Sequence, residues 1–166
     1  MIAHLDAAYG PGARNRLAEA TSPDPDSARA ALESFYYAFN HRDLDALQQV
    51  WIDDPLVQLN NPLGGVLRGI DDVSRLYRRI FDSPARVEVT FGDIVAYQAA
   101  GMVVYAGRET GQFRDPAGRS IPLRIRTTRV FAYDQTAGRW GQVHHHGSID
   151  DPDALRDYQE AVAAAS

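Results

Sequence analysis

The chain has 166 residues, 45% of them hydrophobic and 23% charged, with a net charge of −5, so its composition is that of one soluble globular domain with a sizeable core. All 17 basic residues are arginine and the balance is acidic, which argues against a nucleic-acid or anionic-membrane partner. With no cysteine there are no disulfides, thiolate metal sites or cysteine nucleophiles.

The opening Met1–Gly10 segment has no basic region and Asp6 interrupts its apolar run, so no signal peptide is expected. No run approaches the ~18 apolar residues of a membrane span. A cytoplasmic protein is the expectation. Residues 1–24 are weakly patterned and end in Thr-Ser-Pro-Asp-Pro-Asp. They read as an arm outside the fold, with at most a short helix near Ala13–Ala20.

The domain proper is expected over residues 25–150. Ala28, Leu32, Phe35, Tyr36 and Phe39 recur at spacings of three and four, predicting a helix from about Asp26 to Asn40. Asp43 caps a second helix running through Trp51, and Asp53-Asp54-Pro55 ends it. Leu56–Leu59 reads as a short strand and Asn60–Gly69 as a loop. A third helix starts at Asp71 or Asp72 and runs through Phe81.

After Ser83-Pro84 the pattern becomes β-type. Arg86–Ala99, Met102–Arg114, Ile121–Tyr133 and Arg139–Ser148 predict four consecutive antiparallel strands separated by Gly-containing turns. Asp151-Pro152 opens a C-terminal helix over 151–166, with Pro at its first position. Helices followed by an antiparallel sheet give an α+β domain, a curved sheet wrapped around helices as a cone enclosing a pocket.

The last two long strands carry the most unusual residues. Alternation puts Ile125, Thr127, Arg129 and Phe131 on one face, with Val143, His145 and Gly147 opposite them. These sets are the more apolar and are assigned to the interior. Arg126, Gln142, His144 and His146 then lie outside, on a face too apolar-aromatic for bare solvent, which points to a homodimer contact through His144, His146 and Arg126.

An inward Arg129 must be paired, because an unpaired buried charge is costly. It either anchors an anionic or carbonyl oxygen of a ligand or pairs with a local carboxylate or helix-end carbonyls; both readings stay open. His145 is either a general acid/base, its ordinary pKa lying near neutrality, or a hydrogen-bonded core histidine. His144 and His146 could bind a metal, but no third ligand is evident, so no metal is assigned. Should the faces be inverted, His144 and His146 become the pocket residues. Tyr36, Trp51, Tyr77 and Tyr105 are expected around the cavity, with Thr127 on its wall and Asn60 or Asn61 at its mouth. Gly64-Gly65 lacks the lysine and context of a phosphate loop, and no cofactor is implied.

Several stretches resemble one superfamily. These are Phe35–Leu47 with Trp51-Ile-Asp-Asp-Pro, Pro62–Val73 with Tyr77, and Thr128-Arg-Val-Phe followed by Gly138-Arg-Trp-Gly-Gln-Val-His-His-His-Gly-Ser. They are similar to the NTF2-like (cystatin-like) cone fold, in its SnoaL-like and kinase association-domain branches, over residues 26–149. The resemblance implies a cone-shaped domain that is either a small-molecule isomerase, cyclase or dehydratase, or a non-catalytic homo-oligomerisation module. The base, tyrosine and acid of a ketosteroid-isomerase-type site would fall at Leu59 or Asn61, Phe35, and Thr127 or Thr128, so that site is missing. Of the arginines in an association-domain pocket, Arg129 is retained; others would fall near Gly107 and Gly147. The expected ligand is a small organic molecule held by Arg129 and His145, and Arg129→Ala is expected to abolish binding without unfolding the chain.

Overall fold

The computed structural model describes residues 1–165. The first helix, α1 (Pro25–His41), starts where Asp24 accepts a hydrogen bond from the Ser27 amide at 2.9 Å and Pro25 takes the first turn. Arg42 leaves it in the left-handed conformation (φ 56°). Its guanidinium donates to the carbonyls of Phe81 (2.7 Å), Ser83 (2.9 Å) and Ala85, tying this turn to the end of the third helix. Asp43 caps α2 (Leu44–Val50) through the Ala46 amide at 2.9 Å. Trp51 is already outside that helix, one residue short of expectation, bridged to Gln142.

A short hairpin follows, β2 (Gln58–Asn60) and β3 (Val66–Arg68), where a loop was expected from Asn60 onward. Gly64 and Gly65, both at positive φ, turn the chain between them. The third helix, α3 (Gly69–Asp82), begins slightly earlier than its aspartates suggest. The long strands β4 (Arg86–Ala99), β5 (Met102–Arg114), β6 (Ser120–Asp134) and β7 (Arg139–Ser148) form an antiparallel ladder as their alternation predicts. Asp151 then caps α4 (Pro152–Ala164) through the amides of Asp153 and Ala154.

Residues 1–24 are not an arm outside the fold. Ile2–Leu5 form β1, paired antiparallel with Ile94–Tyr97 of β4. Tyr9 bridges Phe91, and Arg14 and Arg16 reach the buried Glu33. Trp140 donates from its ring to Ser22 and from its amide to Ala20. The physical reason is the open edge of β4, whose amides and carbonyls need a partner. The helix suspected at 13–20 reduces to a 3₁₀ turn at Leu17–Glu19.

The sheet order is β1-β4-β5-β6-β7-β2-β3, and β2 runs parallel to β7, so the sheet is mixed. It curves around the helices without closing. Two register shifts sharpen the curvature, one between Gly92 and Val95 and one between Val130 and Phe131. The second makes Val143 an extra residue, because Val130 faces His144 while Phe131 faces Gln142. Gln142 is therefore turned inward and fully buried, whereas alternation alone placed it outside and Val143 inside. Beyond the bulge the predicted phase resumes: His145 is buried, His146 exposed and His144 half-buried.

Candidate functional site

Between the concave sheet face, α1, α3 and α4 lies a cavity of about 680 Å³. Its walls are mainly apolar, with Phe35 and Phe39 from α1, Leu76 and Tyr77 from α3, and Phe113, Leu123 and Ile125 from the sheet. Size and lining suit a small organic molecule. Tyr158 and Val162 bring α4 over one side. Arg78, Arg79 and Asp82 lie on the α3 side, where Arg78, Arg79 and Asp82 are all exposed.

The polar end is built on Arg129, whose side chain is 3% exposed, and Glu109, at 6%. Arg129 Nη2 donates to Glu109 Oε1 at 2.8 Å, Nε donates to the Tyr36 hydroxyl oxygen at 2.8 Å, and Nη1 donates to Gln142 Oε1 at 3.1 Å. The Tyr36 hydroxyl donates in turn to Glu109 Oε1 at 2.6 Å. The guanidinium carbon lies 3.6 Å from the Phe35 ring centroid, a cation–π contact. Burial works against the Arg129 charge, but Tyr36, Glu109 and Tyr77 outweigh it and keep the guanidinium cationic. These bonds use three of the five N–H donors a guanidinium carries, and the Tyr77 hydroxyl engages Arg129 as well.

His145 stands opposite Arg129 across the β6–β7 ladder and lines the same cavity. Its Nδ1 is buried with no hydrogen-bond partner among the described residues. Burial, then the neighbouring Arg129 charge, pushes its pKa well below 6.5, so the ring is neutral near pH 7. Burial raises Tyr77 above the ordinary tyrosine range, so its hydroxyl stays protonated in the wall. No group of three or more His, Cys, Asp or Glu among the described residues is arranged to hold a metal.

Of the residues singled out from sequence, Arg129, His145 and Tyr77 meet in the cavity wall. Tyr36 sits just behind it, holding Glu109 and Arg129. Trp51, Tyr105 and Thr127 are buried elsewhere in the core, and Asn61 rather than Asn60 reaches the cavity. Asn60 accepts from Gln58 and lies 3.4 Å from His146 Nδ1, on the outer side with His144 and Arg126. Glu109 was missed. Its signal is an acid in the inward phase of β5, after Val103 and Tyr105 and before Phe113.

The geometry also explains two absent arginines. A Cβ at Gly107 would lie 2.7 Å from the Gly92 carbonyl oxygen, and one at Gly147 would lie 3.0 Å from Pro62 Cδ. Gly107 has no room for a side chain against that backbone, and at Gly147 Pro62 would have to give way by a few tenths of an ångström. Leu59, Asn61 and Phe35 line the cavity without a carboxyl or hydroxyl group, so the isomerase-type base and tyrosine are absent from those positions.

A curved mixed sheet wrapped around helices, with a cavity inside, defines an NTF2-like (cystatin-like) domain. The SnoaL-like domain model matches residues 28–152, and the chain belongs to that family. No curated protein matches it. Among solved structures it is similar to a candidate dehydratase of the NTF2-like family from Streptomyces avermitilis, with 21% identity, 75% of this chain and 97% of that one covered, and a TM-score of 0.67. A candidate calcium/calmodulin-dependent protein kinase type II association domain from Thiobacillus denitrificans shares 27% identity over 79% of this chain and 98% of its own, with a TM-score of 0.60. A ketosteroid isomerase-like protein from Erwinia carotovora atroseptica shares 19% identity over 84% and 99%, with a TM-score of 0.62. No helix among the described residues is long and apolar enough to cross a membrane.

Proposed function

We propose that this protein binds a largely apolar small organic molecule in the cavity and moves a proton on it, in an isomerisation, cyclisation or dehydration, with His145 as the group that exchanges the proton. The observation that carries this is the His145 imidazole, neutral near pH 7 and lining the polar end of an otherwise apolar cavity directly across the ladder from Arg129. Arg129 holds the ligand's polar atom through an N–H group that Glu109, Tyr36, Gln142 and Tyr77 leave to it, and the bonds to Glu109, Tyr36 and Gln142 fix its orientation. The similarity to a candidate dehydratase and a ketosteroid isomerase-like protein supports this class of chemistry.

Native mass spectrometry of protein purified gently from its own cells identifies the bound molecule. That molecule is then incubated in D₂O with wild type and with His145→Gln. Deuterium entering the carbon next to its polar group with wild type, and lost with the variant, supports the proposal. Equal exchange with both proteins removes His145 from the chemistry.

A second reading is a non-catalytic assembly module. It is supported by His144, His146 and Arg126 on the outer sheet face, away from the cavity, and by the similarity to an association domain. It requires a dimer or larger ring with nothing bound, disrupted by His144→Glu with His146→Glu; an unchanged mass in solution rules that interface out.

A further inference from the structure

We propose that the polar end of the cavity admits only an uncharged carbonyl group, and that Glu109 is the residue that sets this preference. The inference rests on the small-molecule reading above and narrows its ligand class. Arg129, the one cation at that end among the described residues, already holds Glu109 at 2.8 Å with both side chains almost fully buried. Tyr36 adds a neutral donor to the same carboxylate oxygen.

An incoming carboxylate or phosphate would shed its water and meet Glu109 across a guanidinium that is already neutralised. Its own charge would stay uncompensated, which is the expensive case for a buried ion. An ammonium group would likewise meet a pair of zero net charge, and its own charge would stay uncompensated. An uncharged acceptor has neither penalty: a guanidinium offers donors only, so the group placed there must accept, as a carbonyl oxygen does. The apolar walls of Phe113, Leu123 and Ile125 fit the body attached to it. Among the described residues, further cationic neighbours for an anionic group lie on the α3 side, at Arg78 and Arg79. The Glu109 carboxylate thus converts an arginine pocket that would collect anions into one that refuses them.

The test uses 2-acetonaphthone and 2-naphthoate, which share a ring system and differ in the charge of one group, with binding measured by titration calorimetry at pH 8. Wild type and an Arg78→Ser/Arg79→Ser variant are compared, so that a carboxylate held by those exposed arginines is not mistaken for one held at the polar end. The ketone is expected to bind at least about tenfold tighter than the carboxylate in both proteins. Such naphthoate binding as occurs is expected to take up a proton, seen as a dependence of the heat on the buffer's ionisation enthalpy. Glu109→Gln, which leaves Arg129 uncompensated, is expected to reverse the order.

Equal binding of the two probes to the Arg78→Ser/Arg79→Ser variant without proton uptake overturns the inference and leaves the pocket reading standing. An unchanged preference in Glu109→Gln overturns it as well. Failure of both probes to bind wild type sinks the pocket reading and this inference with it. Should Glu109→Gln fail to fold, the wild-type ratio and the proton uptake decide alone.

Discussion

Removing the Arg129 guanidinium strips Glu109 of its counter-charge at a position where both side chains are almost fully buried. Arg129→Ala is therefore expected to destabilise the fold by about 3–5 kcal/mol, which revises the sequence-based expectation of an intact fold. Urea unfolding measures it. Arg129→Met with Glu109→Leu removes both charges together and is expected to recover most of the loss, whereas a double variant as unstable as the single one excludes the charge explanation. His145 gives a second residue-scale expectation. Its folded pKa lies well below the ordinary 6.5 because burial and Arg129 oppose its protonation. As pH falls below 6.5 the unfolded chain gains a proton that the folded chain refuses, so stability is full above that value and declines below it. The slope is at most about 1.4 kcal/mol per pH unit. Unfolding at pH 7.5 and at pH 5.5 should show a larger wild-type loss than His145→Gln shows, the loss left in the variant coming in part from His144, whose pKa burial and His146 also lower; parallel losses would exclude His145 as the cause.

At the scale of the elements, the close approach of β5 to β4 is the feature that shapes the polar end. Gly107 lies beside the irregularity at Gly92 and Asp93, and a Cβ there would sit 2.7 Å and 2.9 Å from their carbonyl oxygens. Backbone atoms cannot swing aside as a side chain can, so Gly107→Ala is expected to cost about 1–3 kcal/mol in thermal or urea unfolding. A neutral result would mean that the two strands part freely. The long strands and capped helices were legible because their signals are local: alternation over many residues, and Asp24, Asp43 and Asp151 before helical patterns. Arg129 and His145 were legible for the same reason. Gln142 was not, because the extra residue Val143 reverses the phase and nothing in the sequence marks it. Glu109 was hidden because its partner, Arg129, lies on the next strand and its other contact, Tyr36, is 73 residues away in the chain. The strand β1 was hidden because four weakly patterned residues become a strand only once β4 offers an open edge.

For the molecule as a whole, the cavity exists because the sheet does not close and α4 lies across part of the opening. That helix buries only Tyr158 and Ala161, stacking Tyr158 edge-on against Phe113 at 5.5 Å. Gln159 donates to the Leu63 carbonyl at 3.0 Å. The sheet ladder and the packing of α1 against it use none of these contacts. Ending the chain at Asp150 is therefore expected to leave the far-ultraviolet spectrum of the sheet and of α1–α3 in place. The cavity would lose the wall formed by Tyr158 and Val162. An environment-sensitive dye such as ANS should then bind with increased fluorescence, while 2-acetonaphthone should bind at least about tenfold more weakly, because much of the apolar area it buries has gone. If the shortened chain binds the ketone as tightly as the full one, α4 is packing on the outside of the cone, and the wall that selects the ligand is made by the sheet, α1 and α3 alone.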